Sequence, residues 1–121
     1  PGNFDDLAAQ ADNERQNGIH PTLSTSIEGF DNYDVVFVGY PVWWYQMPMP
    51  MYSFFDRYDF SGKTIIPFSS HGGSGWSGTI ADIAGLEPEA TMVDGFSTSR
   101  SNVASSAEEI RNWLRDINII E

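Results

Sequence analysis

Apolar positions first recur at helical spacing in Phe4, Leu7, Ala8 and Ala11, with Asp5 and Asp6 suited to a helix N-terminus. Gly18 and Pro21 end that short helix, and residues 23–28 alternate too poorly to be more than loop. The turn cluster Gly29-Phe30-Asp31-Asn32-Tyr33-Asp34 leads into Val35-Val36-Phe37-Val38-Gly39. That continuous β-branched run has the composition of a strand buried on both faces. The pattern returns at Thr64-Ile65-Ile66-Pro67-Phe68, after a turn at Ser61-Gly62-Lys63, and more weakly at Thr91-Met92-Val93. Between the first two runs, Met51, Phe54, Phe55 and Tyr58 share one face of a helix over 47–58. Pro48 or Pro50 fits its first turn, where no donor is lost. Between the second and third runs, Ile80, Ile83 and Ala84 face inward from a helix over 77–86. The last helix is expected to open with a capping box from Ser106 to Glu109 and to turn Ile110, Trp113, Leu114 and Ile117 inward.

The order βαβαβα with buried strands predicts an α/β fold, a parallel sheet covered by helices on both faces. In such sheets ligands bind beyond the carboxyl ends of the strands. Function is therefore sought after Val38, after Phe68 and after Val93. The first of these segments, Tyr40-Pro41-Val42-Trp43-Trp44-Tyr45-Gln46-Met47-Pro48-Met49-Pro50, holds its aromatic residues out of regular structure with three prolines. Stiff loops displaying Trp and Tyr make flat apolar walls for planar ligands. Plugging the gap between strand and helix is the plainer use of the same rings.

The second segment, Ser69-Ser70-His71-Gly72-Gly73-Ser74-Gly75-Trp76-Ser77-Gly78, is rich in glycine. Its backbone can approach a ligand closely, with N–H groups available for an anion or a carbonyl-rich ring edge. It is neither a Walker A loop nor a dinucleotide fingerprint, because the lysine and the glycine spacing are missing. Gly73-Ser74-Gly75 lacks the spacing of a nucleophile elbow, and His71 has no acidic partner that the sequence can place. The third segment, Asp94 to Ser101, has hydroxyls and Arg100 that could touch a phosphate, but Ser/Thr-rich loops before a helix are common and the plain loop is the preferred reading.

Composition narrows the field. Six basic against 17 acidic residues leave a net charge of −11, which argues against a nucleic-acid partner and against a polybasic membrane anchor. The charge fits simple solubility, or steering toward a basic macromolecule. With no cysteine and two distant histidines, metal-ligand spacing is lacking. No apolar run approaches the roughly 20 residues of a membrane span. A reducing, cytoplasmic location is the expectation.

Three motifs in order, Gly39-Tyr40-Pro41-Val42-Trp43-Trp44 with Met47-Pro48, then Asp59-Phe60-Ser61-Gly62-Lys63-Thr64-Ile65-Ile66-Pro67-Phe68, then His71-Gly72-Gly73-Ser74-Gly75, resemble the flavodoxin family in its short bacterial branch. The resemblance runs from about Phe4 to the end of the chain. It implies a flavodoxin-like three-layer sandwich of strand order 2-1-3-4-5 that binds FMN at the carboxyl ends of its strands. Members open with an apolar strand and a Ser/Thr-x-Thr-Gly-x-Thr-like phosphate loop, and residues before Asp34 carry neither. The three strands placed here then correspond to the family's third, fourth and fifth, in a single domain over 1–121 that is incomplete at its N-terminus. Many relatives have glycine after the tryptophan pair, where Tyr45 stands here.

The resemblance implies that Pro41, Val42, Trp43, Trp44 and Tyr45 bracket the flavin ring from one side. Ser70, His71, Gly72, Gly73, Ser74, Gly75 and Trp76 bracket it from the other. The implied activity is electron transfer, or FMN-dependent reduction of a small acceptor, with a redox partner protein or that acceptor as counterpart. The alternative is a non-enzymatic interaction module, a truncated flavodoxin fold that has lost FMN and pairs with another chain. Either way, the edge of Val35–Val38 lacks the neighbour that the family places there. Self-association, or a partner covering that edge, is expected.

Overall fold

A computed structural model describes residues 2–121. Strands β1 (Val35–Pro41) and β2 (Thr64–His71) run parallel, in register from Val35 opposite Thr64 to Pro41 opposite Ser70. Helix α1 (Phe4–Gln16) precedes them, α2 (Met49–Arg57) connects them, and α3 (Thr79–Leu86) follows. Strands β3 (Thr91–Met92) and β4 (Phe96–Ser99) and helix α4 (Ala107–Asp116) complete the order. Both βα crossovers are the parallel kind that the sequence predicts. Pro50 falls in the first turn of α2, and Asn3 caps α1 by accepting the Asp6 N–H at 2.9 Å.

The third run of the sequence is two strands rather than one. Both pair in parallel with β2, β3 along Thr64 and Ile65 and β4 along Phe68 to His71. Two residues of β2, Ile66 and Pro67, therefore lie opposite three, Val93, Asp94 and Gly95. Proline explains the extra residue. The carbonyls of Lys63, Ile65 and His71 all accept from this side of β2, so the N–H that Pro67 lacks would have pointed here too. The bulged backbone is then held from elsewhere, by the Trp113 indole N–H donating to the Asp94 carbonyl at 2.8 Å. The residues 94–101, read from sequence as loop, thus contain a strand. As an edge strand β4 needs no apolar run: Phe96 packs on Trp113 at 5.6 Å and Ser97 shares a 3.0 Å hydrogen bond with Ser69.

One face of the sheet is well covered. Val38, Tyr40 and Ile65 pack with Phe55 of α2, Ile83 of α3, and Phe30, Met47 and Phe60 from the connections. The other face is met by α4, whose Trp113 touches Phe37 and Phe96. Val35, Phe37 and Phe68 on that face remain 43–44% exposed, so β1 is not buried on both faces as its composition suggested. The apolar side of α4 is only half-buried for the same reason. Its predicted capping box does not form. A 3₁₀ turn at Val103–Ser105 leads straight into the helix, and the buried Ser106 hydroxyl donates backward to the Val103 carbonyl at 2.7 Å.

Lys63 is the one buried cation among the described residues. Its ammonium donates to the carbonyls of Phe30 at 3.2 Å and Asp31 at 3.3 Å, and to that of Tyr33. All three donors are used on the turn that feeds β1. The Phe30 ring lies 5.0 Å from the same nitrogen.

Candidate functional site: a cleft at the carboxyl ends of the strands

The chain leaving β1 reverses at once. Trp43 and Gln46 exchange backbone hydrogen bonds at 2.9 and 3.1 Å, with Trp44 and Tyr45 at the corner, both left-handed at φ +51° and +62°. This is the hairpin geometry that favours Asn and Gly, here occupied by two aromatic residues. The turn keeps Trp43 half-buried and projects Trp44 toward α1, where its indole N–H donates to the Ala8 carbonyl at 3.1 Å. The Arg15 guanidinium lies 6.0 Å from the Trp44 ring and is paired with Asp12. Tyr45 points away and is 76% exposed.

The chain leaving β2 stays beside this turn, because the Val42 N–H donates to the Ser70 carbonyl at 2.8 Å. On the other side the Arg100 N–H donates to the His71 carbonyl at 2.7 Å, continuing the β4 ladder by one residue. The Gly73 N–H turns back to His71 and donates to its Nδ1 at 3.0 Å. Accepting at Nδ1 leaves the His71 Nε2 as the ring's donor, without a partner among the described residues. Gly73 has φ +134°, a backbone setting essentially closed to other residues, and open space lies where Cβ atoms of Gly72, Gly73 and Gly75 would be.

Between these loops and α1 lies a cleft of about 410 Å³. Of the predicted site residues, Pro41, Val42, Trp43, Trp44, Ser70, His71 and Gly72 line it together. Tyr45, Gly73, Ser74, Gly75 and Trp76 do not line it. Trp76 instead borders a separate hollow of about 330 Å³ with Ile80, Met92, Val93, Asp94 and Gly95. Four further lining residues, Phe4, Leu7, Ala8 and Ala11, form the apolar stripe of α1, and the fifth is Arg100. The helical spacing of the stripe was plain in the sequence. Nothing there said that its partner is a cleft rather than the core. Arg100 reads from sequence only as a candidate phosphate contact and is set aside, because the strand end is placed at Val93 and not at Ser99.

The cleft is a mostly apolar slot with a few polar groups at one end, of a size that suits a small planar ligand. Among the described residues no cluster of three or more His, Asp or Glu is placed to hold a metal ion. No helix among them is long and apolar enough to cross a membrane.

A parallel sheet with helices on both faces, and a ligand cleft beyond its carboxyl ends, defines an α/β protein of the doubly wound class. The sequence pattern described as Flavodoxin matches residues 8–117, and the chain belongs to that family. Among solved structures it is similar to a candidate flavoprotein of Bacteroides uniformis, with 25% identity and a TM-score of 0.78 over 93% of this chain and 70% of the other. A candidate flavoprotein of Bacteroides eggerthii is also 25% identical, with a TM-score of 0.73 over 100% and 79%. A flavoprotein of Lactobacillus acidophilus solved in complex with FMN shares the fold at 16% identity, with a TM-score of 0.65 over 87% and 70%. No curated protein matches the sequence.

Proposed function

We propose that this flavodoxin-family chain binds FMN with the flavin ring in the cleft. It would carry electrons between redox partners, or pass them to a small acceptor. The observation that supports this best is the convergence of the tryptophan turn, the Ser70–Gly72 segment and the α1 stripe on one slot of about 410 Å³. The residues present suit the ring: Trp43 and Trp44 offer flat apolar walls, and Ser70, His71 and the backbone at Gly72 offer polar contacts at one end. The glycine positions leave the space a ring edge would need. Phosphate is not favoured at the α1 end of the cleft, because the first turn of α1 carries Asp5 and Asp6. The flavin, when bound, supplies the redox chemistry. The protein's own part is to hold the ring, exclude water from its faces and set the charge around it.

Titrating the purified chain with FMN while following tryptophan fluorescence tests this reading. Saturable quenching at micromolar FMN is expected, with at least tenfold weaker binding in Trp43→Ala. Absence of quenching up to hundreds of micromolar would overturn it. A second reading, an interaction module that pairs through β1, is favoured by one observation. Among the described residues β1 has a strand on one side only, and Val35 and Phe37 are 44% and 43% exposed. Such an edge offers unpaired N–H and C=O groups to another chain. Sedimentation at low micromolar concentration, with hydrogen exchange at Val35 to Val38, separates the two. A complex with protected edge amides and no flavin binding would favour the module.

A further inference from the structure

The chain has six cations among 17 acidic residues, and five of them sit away from the cleft lining. Arg15 is paired with Asp12, Lys63 is sealed against three carbonyls, and Arg57 donates to the Thr25 carbonyl at 3.1 Å. Arg111 and Arg115 ride on α4. Arg100 differs from all of these. It lines the cleft, and its guanidinium has no hydrogen-bond or ion-pair partner among the described residues. Its backbone is fixed by the 2.7 Å bond to His71, which places it at the polar end of the slot, beside Ser70–Gly72. Arg100 is exposed while the cleft is empty, so water and salt screen its charge until a ligand covers that end of the slot. The covered charge favours whatever negative charge a ligand brings to that end.

We propose that Arg100 faces the electron-rich edge of the flavin ring and stabilises the ring in its reduced, negatively charged form. The inference rests on the flavin reading above and adds to it a residue that sets the redox balance. Two electrons from a reductant such as dithionite and one proton from water leave a net negative charge at the pyrimidine edge of the ring. No bond to the protein forms or breaks. A guanidinium there binds the reduced ring more tightly than the oxidised one, and charge near that edge is a recognised way for a protein to set flavin potential. The alternative target is the FMN phosphate, and riboflavin separates the two because it has the same ring and no phosphate.

The experiment compares the wild-type chain with Arg100→Gln and Arg100→Lys, each loaded with FMN and with riboflavin. The readouts are the affinity of the oxidised flavin and the midpoint potential against an indicator dye. Arg100→Gln is expected to weaken the reduced form about tenfold more than the oxidised form. That lowers the two-electron potential by about 30 mV, equally for both flavins. Arg100→Lys is expected to keep most of the wild-type potential. An unchanged potential in Arg100→Gln overturns the proposal while leaving flavin binding intact. So does an affinity loss seen with FMN and not with riboflavin, which would assign Arg100 to the phosphate. A wild-type chain that binds neither flavin overturns the flavin reading itself, and the proposal with it.

Discussion

Lys63 shows how far a single side chain can act from its place in the sequence. Beside Gly62 it looks like an exposed turn residue, yet its ammonium closes the carbonyls of a turn some 30 residues upstream. Lys63→Met keeps the apolar stem and removes the ammonium donor from all three carbonyls, of which Phe30's still accepts the Tyr33 N–H at 3.2 Å. About 1–3 kcal/mol should be lost, measured by urea unfolding. No local pattern announces such a residue, because its partners are backbone groups and carry no sequence signature. Tyr40, read from sequence as the start of a loop, is instead a buried residue of β1. Burial raises its phenol pKa above the ordinary 10.0, the hydrogen bond to Thr79 pulls it partly back, and the charge of Asp82 raises it further. A raised folded value means that the neutral phenol is favoured by folding. The stability it contributes is present below pH 10.0 and fades as pH rises through the folded value. Tyr40→Phe should remove that part of the alkaline transition. At neutral pH it should cost about 1 kcal/mol, since the Thr79 hydroxyl still donates to the Trp76 carbonyl at 2.7 Å.

At the scale of elements, the strands with apolar runs were legible and the strand without one was not. Val35–Val38 and Thr64–Phe68 declared themselves by composition. Phe96–Ser99 carries three hydroxyl residues and becomes a strand only because β2 offers it an edge. With that strand end hidden, Arg100 is set aside as part of a plain loop, whereas the tryptophan turn and Ser70–Gly72 could be read as a site because they follow strands that could be read. Two substitutions probe these elements. Gly95 closes the bulge opposite Pro67, and a Cβ there would sit 2.4 Å from the Pro67 carbonyl oxygen. Backbone cannot swing aside as a side-chain tip can, so Gly95→Ala should destabilise by about 1–3 kcal/mol in thermal unfolding. Tyr45 is held left-handed at φ +62° while 76% exposed, so its ring gains little packing in return. Tyr45→Gly should relieve that strain and raise stability by up to about 1 kcal/mol, after the entropy of glycine is counted. A Tyr45→Gly variant that melts lower would show that the ring is held by contacts made in solution.

For the whole molecule the dominant quantity is the net charge of −11. If it steers a basic redox partner, the rate of electron exchange should fall steeply as salt shortens the Debye length to about 10 Å at 0.1 M. A rate that ignores ionic strength would leave solubility as the role of the charge. The placement of α1 has a consequence of a different kind. This helix buries none of its residues fully, and its apolar stripe looks into the cleft instead of onto the sheet. Its anchors are the Trp44 bond, the Arg15 contact with the same ring and packing on α2, and a flat ligand in the gap would add to them. If the cleft takes such a ligand, occupancy and helix docking are coupled. A ligand at a hundred times its dissociation constant stabilises the occupied state by about 2.7 kcal/mol. That gain should fall unevenly along the chain. Amide exchange should slow most in Phe4–Gln16 and least in β2, which has neighbours on both sides before any ligand arrives. A filled cleft would in this sense be the hydrophobic core of the first helix.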